Sequence, residues 1–151
     1  MRPTQSCEVY IDGASRGNPG PAGIGVVCLD GRNQPAWQLS KFLGETTNNV
    51  AEYLALVYAL QEALQRGCTM LTVKTDSELL ARQINGQYRV RDATLRLFFE
   101  LALHLVQGFH RCSVEHIPRT QNSVADRLAA KAVVDRSREP ASLKIEPPTD
   151  G

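Results

Sequence analysis

A chain of 151 residues is long enough for one domain with its own core and too short for two of ordinary size. Its 17 Lys and Arg against 16 Asp and Glu leave a formal net charge of +1, so no global field gathers polyanions and any nucleic-acid contact must come from local groups. No uncharged apolar run approaches the roughly 20 residues of a membrane span, and MRPTQSCEVYID at the start has no apolar core with a cleavage site, so the expectation is a cytoplasmic protein without a membrane partner.

The segment CEVYID, Cys7 to Asp12, reads as a strand, because Val9 and Ile11 alternate with Glu8 and Tyr10 and a Gly-rich stretch follows. AGIGVVCLD from Ala22 and AWQLSKFL from Ala36 read as a second and third strand, and the short connections make these antiparallel neighbours. A long helix follows in NNVAEYLALVYALQEALQRG, capped by Asn48 or Asn49 and ended by Gly67, with Val50, Leu54, Val57, Leu60 and Leu64 at helical spacing. MLTVKTD is a fourth strand; reached through a helical crossover, it must run parallel to its partner.

Asp76 or Ser77 caps a short helix to Gly86, and QYRVRD is then a loop with Arg89 and Arg91 exposed. A further helix from about Thr94 to Gln107 carries the stripe Leu95, Phe98, Ala102, Leu105 and Val106. RCSVEHI is a fifth strand, PRTQN a loop, and Asn122 the cap of a last helix through SVADRLAAKAVV. The expected organisation is one domain over residues 1–135 and a flexible polar, Pro-containing tail over 136–151. Strands first, then strands alternating with helices, give an α/β fold with a five-stranded mixed sheet. Cys7, Cys28, Cys68 and Cys112 lie apart in apolar stretches without the close pairs of a zinc or redox motif, and are expected to be buried free thiols.

Four carboxylates stand out by position. Asp12 ends the first strand and Asp76 the fourth; if those strands are parallel neighbours, both emerge at the sheet edge where open α/β sheets bind ligands. Glu52 lies early in the long helix beside its apolar face, and Asp126 sits one turn after Asn122. Each alone has an ordinary explanation as a turn, cap, helix-dipole or solvated residue. Together they would repel one another unless a cation were present, and a hard divalent ion suits such oxygens.

Taken in order, YIDGASRGNPGPAG, TTNNVAEYLAL, TVKTDSELL and HIPRTQNSVADRLA resemble the four motif blocks of type I ribonuclease H, over Tyr10 to Ala132. The resemblance implies the ribonuclease H-like fold, with helices on both faces of the sheet, and hydrolysis of the RNA strand of an RNA–DNA hybrid to 5′-phosphate and 3′-hydroxyl ends. It implies two Mg²⁺ ions, with Mn²⁺ as a possible substitute, held by Asp12, Glu52, Asp76 and Asp126. Asp12 would bridge the ions, Asp126 would serve the ion on the attacking side, and Glu52 and Asp76 the ion on the leaving-group side. Gly13, Asn18, Thr47, Asn48, Asn49 and Ser77 match family positions that contact the hybrid, Gly13 by close backbone approach in the minor groove.

The chain departs from the longer members of the family in two places. QYRVRD stands where those members carry a basic, Trp-containing insertion, which implies weaker binding with Arg89 and Arg91 as modest phosphate contacts. The loop before Asp126 is short, so Arg119 is favoured over His116 as its auxiliary catalytic residue, while His104 and His110 read as structural or solvent-facing. The protein is expected to act as a monomer. A hybrid-binding module without cleavage and a phospho-acceptor domain are the alternatives; the intact quartet argues against the first, and the block order and the lack of a late strand-end Lys against the second.

Overall fold

In the computed structural model, which describes residues 5–30, 32 and 34–136, alternation in the first strand sets the two faces of the sheet. Val9 and Ile11 are fully buried and join Ile24 and Val26 of the next strand in the main core. The strands are β1 (Ser6–Ser15), β2 (Gly20–Leu29), β3 (Pro35–Thr46), β4 (Met70–Thr75) and β5 (Arg111–His116). They lie in the order β3-β2-β1-β4-β5, with antiparallel pairing from β3 to β1 and parallel pairing from β1 to β5. This is the expected mixed sheet. The parallel half follows from the helical crossover between β3 and β4, because two parallel neighbours cannot be joined by a tight turn.

Helix α1 (Asn48–Gln65) covers the face that carries Val9, Ile11, Ile24 and Val26, and α3 (Ala93–Val106) packs on its far side. Being covered on two sides, α1 buries far more than one stripe. Ala51, Ala55, Leu56, Ala59 and Ala63 are buried along with Val50, Val57 and Leu60, whereas Leu54 and Leu64 are only half-buried. A pattern of large apolar residues misses the alanines, which bring the helix close. The short α2 (Glu78–Ile84) leans on β4 and β5.

The opposite face is covered by α4 (Ser123–Asp135), and the seat is made by glycine. A Cβ added to Gly25 would stand 2.1 Å from the Ala125 carbonyl oxygen, and one on Gly23 would stand 2.7 Å from that of Ala129. With no side chain at either position, α4 lies directly on the backbone of β2.

Several boundaries differ from those read in the sequence. β1 runs on past Asp12 to Ser15, because Gly13, Ala14 and Ser15 stay paired with Ile24, Gly23 and Ala22 of β2. Asp12 is therefore not at the end of its strand; it lies where the parallel partner β4 stops, the last registered pair being Ile11 and Thr75. Thr47, not Asn48 or Asn49, caps α1, its Oγ1 accepting from the Val50 N–H at 3.2 Å. Ser77 caps α2 in the same way through Leu80, and Asp92 caps α3 through Leu95. All four cysteines are free, Cys28 and Cys68 buried and Cys7 and Cys112 half-buried. No helix of the described residues is long and apolar enough to cross a membrane. The tail expected over 136–151 lies, apart from Arg136, outside the described residues.

The seat of α4 gives the first prediction. Gly25→Ala should cost about 1–3 kcal/mol or more in urea unfolding, since backbone rather than a pliable side chain occupies the space. An unchanged midpoint would mean that α4 is not seated on Gly25.

Candidate functional site

Beyond the Ile11–Thr75 pair, β1 and β4 part, and the next residue of each is an aspartate. Parallel pairing aims both at one end of the sheet. Glu52 joins them from α1: oxygens of Asp12, Glu52 and Asp76 all lie within 4.8 Å of one another. Asp12 is 6% exposed and Glu52 5%, while Asp76 is half-buried.

Gly13 brings Glu52 into place. A Cβ there would stand 2.3 Å from the carbonyl of Ala51, so only glycine lets α1 approach β1 this closely. Its N–H donates to Glu52 Oε1 at 2.5 Å, which fixes the carboxylate beside Asp12. The close approach that Gly13 permits here is to α1, the residue being buried and its N–H used by Glu52.

Asp126 reaches the site from the first turn of α4, its N–H bonded to the Asn122 carbonyl at 3.1 Å. It stands outside the close trio but near enough to act on Asp12. Burial first, then the charge of Asp76, then hydrogen bonding and charge from Asp126 push the Asp12 carboxyl up to about 8, against a smaller lowering by Glu52. Glu52 is likewise raised well above the usual carboxylate range, by burial and by the charge of Asp12, although the Gly13 N–H opposes the shift.

These are hard oxygen donors that hold on to their protons unless a cation favours the ionised form. Among the described residues no Lys, Arg or His pairs with Asp12, Glu52 or Asp76; Arg119 alone approaches the quartet, its Nη2 3.8 Å from Asp126 Oδ1. A set of this kind fits a divalent cation with oxygen preference, such as Mg²⁺.

The remaining candidates fall into separate groups. Asn18, Thr47, Asn48 and Asn49 lie together where the β1–β2 turn meets the start of α1; the Asn18 Oδ1 accepts from the Asn48 N–H at 3.1 Å, and both asparagines of α1 are exposed. Ser77 follows Asp76 directly, its Oγ spent on capping α2. Arg119 extends from a 3-10 turn (Arg119–Gln121), with 82% of its side chain exposed. His116 ends β5 opposite Thr75, the residue before Asp76, and lines a surface groove with Glu78, Arg82 and Asn85 on the α2 side. Arg89 and Arg91 are exposed, as expected.

One residue of the site was missed. Asn122 reads as a helix cap, yet its side chain makes no bond to α4 and contacts Ile11 and Asp76 instead. An Asn ahead of a helix carries the same signal in either role.

Comparison with known proteins points one way. A family model described as reverse transcriptase-like matches residues 10–132. The bifunctional protein Rv2228c of Mycobacterium tuberculosis is 39% identical over 140 residues, 92% of this chain but only 38% of that relative. The ribonuclease H of Pseudomonas entomophila is 40% identical over 145 residues, covering 86% of this chain and 95% of the relative. Among solved structures, LC11-RNase H1 in complex with an RNA/DNA hybrid aligns with a TM-score of 0.82 at 40% identity, over 88% of this chain and 99% of that one.

The raised carboxyls set a pH dependence. Asp12 binds a proton more tightly folded, at about 8, than at its ordinary 3.8, so its contribution to stability is full below the lower value and is lost as pH rises through the upper one. With divalent ions chelated, Tm should fall as pH is raised from about 5 to about 9, and added Mg²⁺ should recover more of it at the alkaline end. Calorimetry that shows the metal-free protein gaining stability over that range would contradict the charge crowding described.

Proposed function

This chain belongs to the ribonuclease H family, and from that premise we propose that it hydrolyses the RNA strand of RNA–DNA hybrids, with two Mg²⁺ ions held by Asp12, Glu52, Asp76 and Asp126. The observation that carries the reading is the cluster itself: three carboxylates within 4.8 Å at the point where two parallel strands part, with no Lys, Arg or His paired to them among the described residues. The LC11 protein, 40% identical, is described in complex with an RNA/DNA hybrid, which supports the same substrate here.

Bound at the cluster, Mg²⁺ supplies positive charge to the attacking and departing oxygens of an in-line phosphoryl displacement. The residues of the chain provide the seat and its orientation. Asp12 is central, close to Glu52 and Asp76 and acted on by Asp126 as well. Glu52 is held by the Gly13 N–H, so it does not have to be ordered when an ion arrives. Asp126 stands at the exposed rim, paired with the Arg119 guanidinium, which would have to turn from it to reach a phosphate.

The hybrid would lie over the surface formed by Asn18, Thr47, Asn48 and Asn49 on one side of the carboxylates and Ser77 on the other, its sugars and phosphates meeting amide and hydroxyl groups. A net charge of +1 and isolated arginines at 89 and 91 make this a weak grip with a shallow salt dependence, so selection rests on shape and on the 2′-hydroxyls. The 5′-phosphate and 3′-hydroxyl ends follow from attack on the phosphate with departure of the 3′ oxygen. Mn²⁺, also an oxygen-preferring ion, can take the place of Mg²⁺.

In a cleavage assay with labelled strands, the protein and Mg²⁺ should fragment the RNA of a hybrid and spare single-stranded RNA and both strands of duplex DNA. Asp12→Asn should lower kcat by more than about 100-fold while the fold is kept, because one charge leaves the seat without a change of shape. Arg119→Ala should lower kcat by up to about tenfold, and His116→Ala should leave it near wild type. Substantial cleavage by the Asp12 variant, or a larger loss from His116 than from Arg119, would overturn the corresponding assignment.

A further inference from the structure

Asn122 stands at the head of α4, where a residue of its type ordinarily turns its side-chain oxygen onto the free N–H groups of the first turn. Here it does not. No side-chain bond runs to the helix, and its φ and ψ of −120° and 27° lie away from the extended backbone usual for a cap. The amide is turned toward the carboxylates: Nδ2 donates to the Ile11 carbonyl at 2.8 Å and, over a longer 3.4 Å, to Asp76 Oδ2. A backbone carbonyl can only accept, which settles which end of the amide faces it. Oδ1 is left buried without a partner, in a residue 1% exposed.

The backbone of the same residue is also engaged at the site. Its carbonyl accepts from the Asp126 N–H at 3.1 Å, and its own N–H donates to the Arg119 carbonyl at 3.0 Å. One residue thus touches the peptide before Asp12, the Asp76 carboxylate itself, and the main chain of both Asp126 and Arg119. A residue kept only to begin α4 would spend its oxygen on the helix. Leaving that oxygen buried and unpaired, with the first turn uncapped by it, is costly. Such a local cost is expected where a side chain serves a functional site.

We propose that Asn122 is a positioning residue of the acidic centre, its amide holding Asp76 against β1 so that its oxygen joins those of Asp12 and Glu52, while its backbone sets Asp126 beside them. The inference rests on the reading of that centre as a Mg²⁺ site. Carboxylates that bind metals are commonly oriented by such outer hydrogen bonds, whose removal costs about 10–100-fold in metal affinity or activity.

Asn122→Ser keeps a residue suited to a helix start but too short to reach both acceptors. Calorimetric titration with Mg²⁺ alone should show affinity weakened by about 10–100-fold. On a hybrid, kcat should fall while KM for the hybrid stays within about twofold. A folded variant with a lower Tm but wild-type Mg²⁺ affinity and kcat would make the amide merely structural and overturn the proposal.

Should the variant not fold, the wild-type protein decides. The side-chain N–H resonances of Asn122 should shift on titration with Mg²⁺ together with the backbone signals near Asp12 and Asp76; resonances that stay fixed while those neighbours move would overturn it. Wild-type protein that neither binds Mg²⁺ nor cuts the hybrid removes the site reading and this inference with it. Binding and cutting with flat Asn122 readouts remove the inference alone.

Discussion

Like charges held together are the constraint on which the rest of this structure turns. Two carboxylates whose oxygens lie within 4.8 Å would, if both were ionised, repel by roughly 3 kcal/mol or more at an effective dielectric constant of about 20, and three such groups meet here with Asp126 at their edge. The chain could relieve the strain by separating them, and it does not. β1 is clamped between β2, which follows it to Ser15, and β4, which follows it to Ile11. Asp12 has no freedom to withdraw. The hydrophobic core on one face and α4 on the other hold Glu52 and Asp126 in the same way, so the fold supplies the work of assembly before any ligand arrives.

That assembly depends on places where side chains are missing. Gly13 lets α1 rest against β1, and its freed N–H then orients Glu52. Gly25, on the next strand, is the registered partner of Asp12 and also the point at which Ala125, the neighbour of Asp126, touches the sheet. One cross-strand pair therefore sets the distance between a β1 carboxylate and an α4 carboxylate. None of these glycines has a positive φ. Their role is clearance between backbones.

The sequence made the element types legible because their signals are local: alternation in β1, the helical period of α1, and the crossover that forces β4 to run parallel. It also placed all four carboxylates on the right elements. What it could not give were features decided by partners distant in the chain. Whether β1 stops at Asp12 depends on β2, and how much of α1 is buried depends on α3. The cap of α1 fell to Thr47 rather than its asparagine neighbours because only Thr47 stands with extended backbone just before the first turn. For Asn122 the pattern suggested a cap, the position was right, and the hydrogen bonds went elsewhere, since Ile11 and Asp76 are adjacent to it only in the folded chain.

Exposure divides the site unequally. Asp12 and Glu52 are almost wholly buried and Asp76 is fixed between them and Asn122, whereas 42% of the Asp126 side chain is open to solvent beside a still more exposed Arg119. In the proposed centre, an ion among Asp12, Glu52 and Asp76 would meet oxygens set in advance. An ion between Asp12 and Asp126 would compete with the Arg119 guanidinium and with water, and would depend more on oxygens brought by the substrate phosphate, as Mg²⁺ ordinarily does. On that reading the rigid half would fix where a hybrid's phosphate lies, and the open half would be completed by that phosphate.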